Sequence, residues 1–559
     1  MKIFKMVLTL FFCLSASLYA ADWTGSTSEP KSTKEIDGKT FYVITSAEEL
    51  AWFAAQVNAG KTTINAQLAN DIKFMDDTSK TSTISWTPIG KDNSHAFSGI
   101  FDGGGWTIYG VYSRSGFAGL FGVTDKAVLV KNVKMRKTRI DGGTYAGGIV
   151  AFNWGTVSGC VSSGTVSVAS GSYSSSVYSG GIAGWNAGTI GGCMNSGAIS
   201  SSYGPYSNPT YAGGIAGWNT GTVSGCMNSG MVSGPSGSYS TIAYSGGIAG
   251  GNAGTVLNSA NNGSISYYSG GLVARNDTAA KMLNSFSVTN SAKAGVVYFN
   301  ENHSGTKGIV TNCFYDSDIL IGKSTADPNL GLSTSDMQSD RFAWILNTTN
   351  GTKENSGVWS HDSVGYPIFA NSIYKPIYRI IFKNNSIVSE RYSNYKGLVD
   401  FPSFPETPNG ISWYTEDGVK VKATTIFTKD LTVYAVYIDV SSSSEASSSS
   451  GEKSSSSAVS SGSSAKSSSS SAGKNSSSSS EPSDALIANL PSLTWSVTAS
   501  GRNFQVHAAP VGKAYALFDL QGKVLAKGRV ENSEMTLSVP RAGSYIVRVG
   551  ESSVRVNAK

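Results

Sequence analysis

A chain of 559 residues is longer than one compact core usually organises, so several domains, or one elongated repeat domain with appended modules, are expected. Glycine supplies 64 residues and charged residues only 14% of the chain, a composition that is unusual for a globular enzyme. The net charge of +6 is small for this length, and no basic patch is interleaved with aromatic residues, so nucleic acid is excluded as an expected partner.

The first 20 residues have the pattern of a secretory signal peptide. Lys2 and Lys5 precede an apolar run from Met6 to Leu14, and Ala20 supplies a small residue at a cleavage point. The alternative, an uncleaved membrane anchor, would need a run of ~20 apolar residues. We therefore expect residues 1–20 to be removed and the mature chain to be secreted or attached to the outer surface, without a membrane-spanning segment.

Residues 46–60, SAEELAWFAAQVNAG, predict a helix before the first repeat. Ser46 and Glu49 have the spacing of a capping box, and Gly60 ends the pattern. An apolar stripe runs along one face, at Leu50, Phe53, Ala54 and Val57. A helix in this place would cover the open end of a stack of strands, which otherwise exposes unpaired backbone groups.

A repeat follows, and its clearest copies are YSGGIAGWN at 178–186, YAGGIAGWN at 211–219 and YSGGIAGGN at 244–252. Short β-prone segments alternate with Gly, Asn and Ser turns, and no helical pattern lies between them. The aliphatic residues after the paired glycines are Leu120, Ile149, Ile182, Ile215, Ile248, Leu272 and Val296, at steps of 29, 33, 33, 33, 24 and 24 residues. Such repeats predict an all-β fold, a right-handed parallel β-helix (solenoid) with an N-terminal capping helix, followed by small β-rich modules.

Four other positions recur in the same register. The tyrosine column is Tyr145, Tyr178, Tyr211, Tyr244 and Tyr268. The second aromatic column is Phe152, Trp185 and Trp218, after which Gly251 and Arg275 follow. The asparagine column is Asn153, Asn186, Asn219, Asn252, Asn276 and Asn300. The cysteine column is Cys160, Cys193 and Cys226, with Ser259 in the next repeat.

Stacked coils would place equivalent side chains about 4.7–4.9 Å apart. The asparagines are then expected to form a structural ladder that passes hydrogen bonds between turns. Cysteines at this spacing are within reach of a disulfide, so a ladder of buried thiols and one bridge among the three both remain open. The paired glycines permit tight corners or a close approach of the backbone.

The two aromatic columns are the candidate ligand-binding residues, with core packing as the alternative. Counting by twos from Ile182 places Tyr178 on the same face as the core and Trp185 on the opposite face. We therefore expect buried tyrosines and exposed tryptophans. An exposed row of flat rings would suit stacking on sugars or contact with another protein.

The unit GG-aliphatic-x-G-x-N resembles the repeat of GLUG-motif proteins, and it stands in this chain as GGIAGWN and GGIAGGN. GGIVAFN and GGLVARN depart from it by lacking the later glycine. The segments FYVITSAEELAWFAAQVNAG and VTNCFYDSD resemble the entry and exit segments of that family, so the resemblance covers residues 38–370. It implies a β-solenoid with entry and exit caps and an adhesin-like role.

Smaller modules follow the repeats. Residues 374–440 resemble the B-repeat module of internalin-type surface proteins through SWYTEDG and TKDLTVYAVY. In this module we expect a hairpin turn at 417–418 and Trp413 in the core.

Residues 441–483 are a serine-rich linker that serves as a flexible spacer. Residues 485–559 predict a small β-sandwich, and ALFDLQGKVLAKG and RAGSYIVRV resemble C-terminal sorting domains of type IX secretion. That resemblance implies the export machinery as a partner, with an ordinary β module as the alternative.

Residues 142–274 contain no Asp, Glu, Lys, Arg or His. Acid–base catalysis, glycoside hydrolysis and most metal sites need such groups, so we predict no catalytic residue, metal or cofactor in the repeats. The flanking carboxylates are expected in turns or caps, at Asp76, Asp77, Asp102, Asp316 and Asp318. The histidines are scattered, at His95, His303, His361 and His507.

The sequence therefore predicts a secreted or cell-surface, adhesin-like binding protein that is non-catalytic and uses its repeats as an extended scaffold. Its expected ligand is an extracellular glycan or a surface protein of a host or neighbouring cell. A polysaccharide-binding protein is the first alternative. A carbohydrate-active enzyme on a β-helix is the second, and it would require the flanking carboxylates to converge on one cleft.

Overall fold

The structure is a computed structural model that describes residues 22–76, 84–169, 176–202, 209–234, 243–266, 269–300, 307–320, 330–348, 356–385, 387–402, 411–437, 496–500, 502–507, 511, 513–519, 524–540, 543–549 and 552–558. The predicted signal peptide, the serine-rich linker, Tyr268, Asp77 and His303 lie outside these residues. The chain divides into two compact units, Met1–Ile487 and Ala488–Lys559.

Within the described residues the fold is all-β, and its long sheets consist mainly of parallel strands. The entry region contains β1 Thr33–Ile36, β2 Lys39–Ile44, helix α1 Ala47–Asn58, β3 Asn65–Leu68, β4 Ile72–Lys73, a 3₁₀ turn at Asn93–His95, β5 Ile100–Asp102, β6 Thr107–Tyr109, β7 Tyr112–Ala118, β8 Phe121–Val123 and β9 Leu129–Lys131.

The repeats contain β10 Lys134–Gly147, β11 Val150–Asn153, β12 Thr156–Ser158, β13 Val161–Ala169, β14 Val177–Gly180, β15 Ala183–Asn186, β16 Thr189–Gly191, β17 Met194–Asn195, β18 Ala198–Ser202, β19 Thr210–Gly213, β20 Ala216–Asn219, β21 Thr222–Ser224, β22 Met227–Asn228, β23 Val232–Ser233, β24 Ala243–Gly246, β25 Ala249–Asn252, β26 Thr255–Leu257, β27 Ala260–Asn261, β28 Ile265–Ser266, β29 Ser269–Gly270, β30 Val273–Asn276, β31 Lys281–Ser287, β32 Val297–Phe299 and β33 Ile309–Asp316.

Helix α1 begins where the capping residues predict. The Ser46 side chain accepts a hydrogen bond from the Glu49 backbone N–H at 3.3 Å, and the Glu49 carboxylate accepts one from the Thr45 backbone N–H at 2.7 Å. The predicted apolar stripe is buried. The ring of Phe53 lies 5.9 Å from that of Phe97 and 6.1 Å from that of Phe101, so the stripe packs on the entry strands.

Successive repeats pair in parallel and in register. Tyr178 lies opposite Tyr211, and Trp185 lies opposite Trp218. The strands β8, β11, β15, β20, β25, β30 and β32 form one parallel sheet in which neighbours come from successive repeats. The aliphatic column from Leu120 to Val296 is fully buried at every position, as predicted. A Cβ at Gly180 would lie 1.9 Å from the carbonyl oxygen of Ala183, so the first glycine of the pair is required by close approach of the backbone.

The asparagine column forms a continuous ladder of side-chain hydrogen bonds. Each Nδ2 donates to the Oδ1 of the next repeat, at 2.8 Å from Asn153 to Asn186, 2.8 Å from Asn186 to Asn219 and 2.7 Å from Asn219 to Asn252. The ladder continues through Asn276 to Asn300 with distances of 2.8 Å. The asparagines from Asn153 to Asn276 are buried, so the amides satisfy one another where water cannot reach.

A second asparagine ladder was not predicted. Asn195 donates to Asn228 at 2.8 Å and Asn228 donates to Asn261 at 2.9 Å, and all three side chains are buried. The recurrent MNSG at 194–197 and 227–230, followed by ANNG at 260–263, is the sequence signal that would have identified it.

The cysteine column is a ladder of free, buried thiols, and the alternative of a disulfide is not realised in the structure. The Cys160 backbone N–H donates to the sulfur of Cys193 at 3.4 Å, and that of Cys193 donates to the sulfur of Cys226 at 3.4 Å. Ser259 accepts the next bond through its hydroxyl at 3.3 Å. The sulfurs of Cys193 and Cys226 are therefore acceptors for buried N–H groups, and Ser259 takes the same role with its hydroxyl. Burial raises the pKa of the Cys193 thiol well above its ordinary value.

The residue directly before each position of the cysteine column has a left-handed backbone conformation. Gly159, Gly192 and Gly225 have φ of 60°, 60° and 64°, whereas Asn258 and Asn284 have φ of 48° and 50°. Glycine and asparagine are the residues that adopt this conformation most readily, so they exchange along the column.

The exit region contains β34 Gly331–Leu332, α2 Thr334–Met337, α3 Asp340–Asn347, β35 Trp359–Ser360 and β36 Ile368–Phe369. The helices α2 and α3 were not predicted. Phe342 of α3 packs on Phe286 and Phe314 of the last repeats, with ring centroids 5.8 and 5.4 Å away. The N-cap residue of helix α3 is Ser339, whose hydroxyl accepts a hydrogen bond from the Phe342 backbone N–H.

The module after the exit region contains β37 Arg379–Asn384, β38 Ile387–Tyr392, β39 Ile411–Thr415, β40 Lys420–Val421 and β41 Leu431–Tyr437. β39 and β40 form the predicted hairpin, and Trp413 is buried as predicted. Trp344 of α3 donates its indole N–H to Asp430 at 2.8 Å and lies 4.4 Å beneath the Arg379 guanidinium. These contacts attach the module to the repeats.

The C-terminal unit contains β42 Ser496–Ser500, β43 Asn503–His507, β44 Ala514–Asp519, β45 Val524–Arg529, β46 Met535–Ser538, β47 Gly543–Val549 and β48 Ser552–Ala558. Its described strands pair antiparallel in two sheets, β42-β43-β46 and β45-β44-β47-β48. Phe504 and Val506 of the first sheet share a buried core with Leu517 and Val547 of the second.

We predict that Asn186→Ala lowers the free energy of unfolding of the repeats by about 2–4 kcal/mol. The substitution removes the acceptor for Asn153 and the donor for Asn219, and a buried polar group without a partner costs about 1–3 kcal/mol. Urea unfolding followed by circular dichroism measures the change. Asn262→Ala is the matched control because its side chain is exposed, and we expect a change below about 0.5 kcal/mol. Equal effects of the two substitutions would contradict the ladder.

We predict that Ellman's reagent detects no thiol in the folded mature chain at pH 8 and four thiols after unfolding in guanidinium, because the cysteines are buried and unpaired. Detection of two thiols after unfolding would establish a disulfide instead. We further expect Cys226→Ser to destabilise the chain less than Cys226→Ala, because a serine hydroxyl at this position can accept the Cys193 backbone N–H bond that the sulfur accepts now.

Candidate functional site

The two aromatic columns contact each other and form one surface feature, which we call the aromatic ladder. Its two sides are joined edge to face, since Tyr178 lies 4.9 Å from Trp185 and Tyr211 lies 4.6 Å from Trp218, both at 74°. The ladder consists of Phe117, Tyr145, Tyr178, Tyr211 and Tyr244 on one side and Phe152, Trp185 and Trp218 on the other. Phe117 was not predicted because it lies three residues before Leu120 instead of four, and a shift in strand register between Gly142 and Tyr145 brings it opposite Tyr145.

The expectation of buried tyrosines and exposed tryptophans is wrong. Tyr145, Tyr178 and Trp185 are all partly buried, and Tyr211 is the buried member at 4% exposure. The count by twos fails because Gly181 and Ile182 lie in a corner where the chain leaves β14 and enters β15 in another sheet. The corner resets the alternation and brings both aromatic side chains together.

Stacking decides which parts of the rings remain accessible. Tyr145 and Tyr178 stack with centroids 5.3 Å apart and planes at 10°, and Phe152 and Trp185 stack at 5.6 Å and 7°. Rings inside such a stack cover one another's faces, so their residual exposure lies at their edges. A sugar therefore cannot stack face to face on Trp185. The inner ladder instead presents ring edges and tyrosine hydroxyls.

The ladder ends at a cation. Gly251 follows Trp218 in the column, and a Cβ there would lie 2.1 Å from the Trp218 ring. Arg275 occupies the next position, where its guanidinium lies 5.8 Å from the Trp218 centroid and donates to the Tyr211 hydroxyl at 3.2 Å. Burial raises the pKa of Tyr211 to about 12, so this hydroxyl stays protonated at neutral pH.

The flanking carboxylates are engaged in local contacts. Asp316 is buried and accepts hydrogen bonds from the Tyr366 hydroxyl at 2.6 Å and the Thr334 hydroxyl at 2.8 Å. Asp318 accepts from the Thr334 backbone N–H at 2.8 Å. Asp102 lies 3.4 Å from the Lys131 ammonium, and Asp76 lies 2.7 Å from that of Lys73. The expected turn role is seen for Asp316, which accepts from the Asp318 and Ile319 backbone N–H groups, and for Asp102, which accepts from that of Gly104, whereas Asp76 forms an ion pair.

The described histidines each face one carboxylate. His95 pairs with Asp92 at 2.7 Å and His361 with Asp340 at 2.8 Å. His507 pairs with Glu534 at 2.7 Å. Among the described residues no group of three or more His, Cys, Asp or Glu side chains converges to hold a metal ion.

In the part of the chain that the structure covers, no helix is both long and apolar enough to cross a membrane. No protein-family model and no curated protein matches the chain. A matching solved structure is described as a candidate immunoglobulin A1 protease from Bacteroides ovatus. It is 19% identical, the match covers 60% of this chain and 93% of that chain, and the TM-score is 0.37. Similarity at this level supports no conclusion about the present chain.

Proposed function

We propose that this chain is a secreted or cell-surface, adhesin-like binding protein whose repeats form a right-handed parallel β-solenoid that serves as an extended, non-catalytic scaffold. The observation that carries the proposal is the aromatic ladder. It lines successive repeats with partly exposed rings and tyrosine hydroxyls, and residues 142–274 place no charged group among them. Aromatic surfaces of this kind are enriched at binding interfaces.

The parallel, in-register pairing of successive repeats supports the solenoid. Each repeat contributes one strand to the sheet from β8 to β32, and the aliphatic column fills the interior. Right-handedness is proposed because parallel strands joined by a crossover are right-handed in about 98% of cases. The packing of α1 on the entry strands supports its role as the end cap.

The residue types and their contacts support a non-catalytic role. Residues 142–274 contain no Asp, Glu, Lys, Arg or His, and the described carboxylates that flank them lie in turns, hydrogen bonds and ion pairs. Glycoside hydrolysis ordinarily needs two carboxylates across one cleft, so the alternative of a carbohydrate-active enzyme is less well supported.

The remaining modules are proposed to handle export and display. Residues 1–20 would direct secretion, and residues 441–483 would separate the repeats from the C-terminal unit. The antiparallel sheets of that unit are compatible with the proposed sorting domain, whose partner would be the export machinery. The ligand would be an extracellular glycan or a surface protein of a neighbouring or host cell.

We predict that the mature chain, residues 21–559, is retained by immobilised cell-surface material without degrading it. Affinity electrophoresis with soluble glycans and pull-down on fixed cells measure retention, and assays of reducing ends and peptide fragments measure degradation. We expect a Trp185→Ala, Trp218→Ala double variant to lose at least tenfold in affinity, because it removes two neighbouring rings from the aromatic ladder.

Two further variants keep this test independent of folding. Tyr178→Phe preserves the ring stack and removes only a hydroxyl, so a weaker affinity would arise at the surface and not from unfolding. Trp106→Ala is the control, since Trp106 is 42% exposed and is not part of the ladder. Retention by no surface, or release of sugar or peptide fragments, would contradict the proposal.

A further inference from the structure

A cleft opens at the N-terminal end of the aromatic ladder. The position before Phe152 in the second column is Val123, which pairs with it in the sheet. Valine supplies no aromatic ring at this position, Trp154 stacks on Phe152 instead, and a cavity of about 460 Å³ lies beside them. We call this cavity the end cleft; its aromatic walls are Phe117, Tyr145, Phe152 and Trp154.

We propose that the end cleft is a carbohydrate-binding site that takes a pyranose ring of a neutral glycan. This inference rests on the proposed binding function and names the ligand class for one end of the ladder. The volume falls within the range of about 300–1,000 Å³ that is typical of small-ligand sites. It suits one or two sugar rings, with a longer chain continuing into solvent.

Trp154 provides the stacking platform. Trp154 as a residue is 43% exposed, which leaves apolar surface in water. It packs on Phe152 at 5.4 Å and 30°, so its orientation is supported from beneath. The inner rings of the ladder are covered on both faces by their neighbours, whereas Trp154 stands outside the column. The C–H face of a pyranose can therefore cover this ring, which it cannot do at Trp185.

The polar rim matches hydroxyl groups and carries no net charge. Asp125 supplies a carboxylate, Lys126 an ammonium and Asn93 an amide, so both acceptors and donors are present. The Lys126 ammonium lies over the Trp154 ring at 5.9 Å from its centroid, so a sugar on that face would meet the ammonium as well as the ring. One cation next to one carboxylate does not favour phosphate or uronate, and a neutral sugar satisfies both groups.

Two parts of the rim, the Asp125 carboxylate and the backbone at Asn93, are ordered by local hydrogen bonds. Asp125 accepts from the Lys126 backbone N–H at 2.5 Å. Asn93 begins the 3₁₀ turn that Asp92 caps by accepting from the Ser94 backbone N–H at 2.9 Å. Ordered groups lose less conformational entropy on binding, so these two positions of the cleft can meet a ligand without rearrangement.

A glycan array of neutral and acidic oligosaccharides, probed with the mature chain, tests the inference. We expect binding to neutral oligosaccharides, followed by saturable quenching of tryptophan fluorescence with the best of them in solution. Trp154→Ala should weaken that binding at least tenfold, Trp154→Phe should restore most of it, and Lys126→Ala should weaken it several-fold. Trp106→Ala, a matched loss of a tryptophan with 42% exposure against 43%, should leave it unchanged.

The outcomes separate this inference from the proposed function. Binding to fixed cells with no signal on the array would overturn the sugar site and leave the binding function standing. Glycan binding that is unaffected by Trp154→Ala would overturn its location, and binding to acidic oligosaccharides alone would overturn the ligand class. The absence of binding to cells and to the array would contradict the proposed function itself, and this inference with it.

Discussion

The structure of the repeats depends on one constraint, the parallel, in-register pairing of each repeat with the next. Strands in such sheets lie about 4.7–4.9 Å apart, so every side chain contacts its own equivalent in the neighbouring repeat. Only side chains that are compatible with a copy of themselves can fill a column. Asparagine meets this requirement because its amide both donates and accepts, as the chain of bonds from Asn153 to Asn300 shows. Cysteine and serine meet it by accepting a backbone N–H.

The same constraint explains the absence of charged residues from 142 to 274. Identical charges in a column would lie about 5 Å apart and repel by ~1 kcal/mol in water, and by more where they are partly buried. Charges occur where the columns end or are broken. Arg275 stands where the tryptophan column has passed into glycine, and Lys126 stands beside the end cleft.

Stacking also determines which ring faces of the aromatic ladder remain accessible. Inside the stack each ring is a neighbour's packing surface, so conserving the motif from repeat to repeat stabilises the scaffold but covers the ring faces. A free face arises only where the repetition stops. The residues with the best geometry for a ligand are therefore irregular ones, above all Trp154, which belongs to no column.

The sequence by itself determined the repeat register, the buried aliphatic column, the asparagine ladder and helix α1, because each depends on local spacing or on side chains that meet their own equivalents. It did not determine the side on which Tyr178 and Trp185 lie, since the corner at Gly181 and Ile182 breaks the alternation of the strands. It also left the thiols undecided, because both a bridge and a ladder fit the spacing. Only the tertiary structure brought Phe117, Trp154 and the Asp125–Lys126 pair together, since they come from different strands and turns and share no repeating pattern.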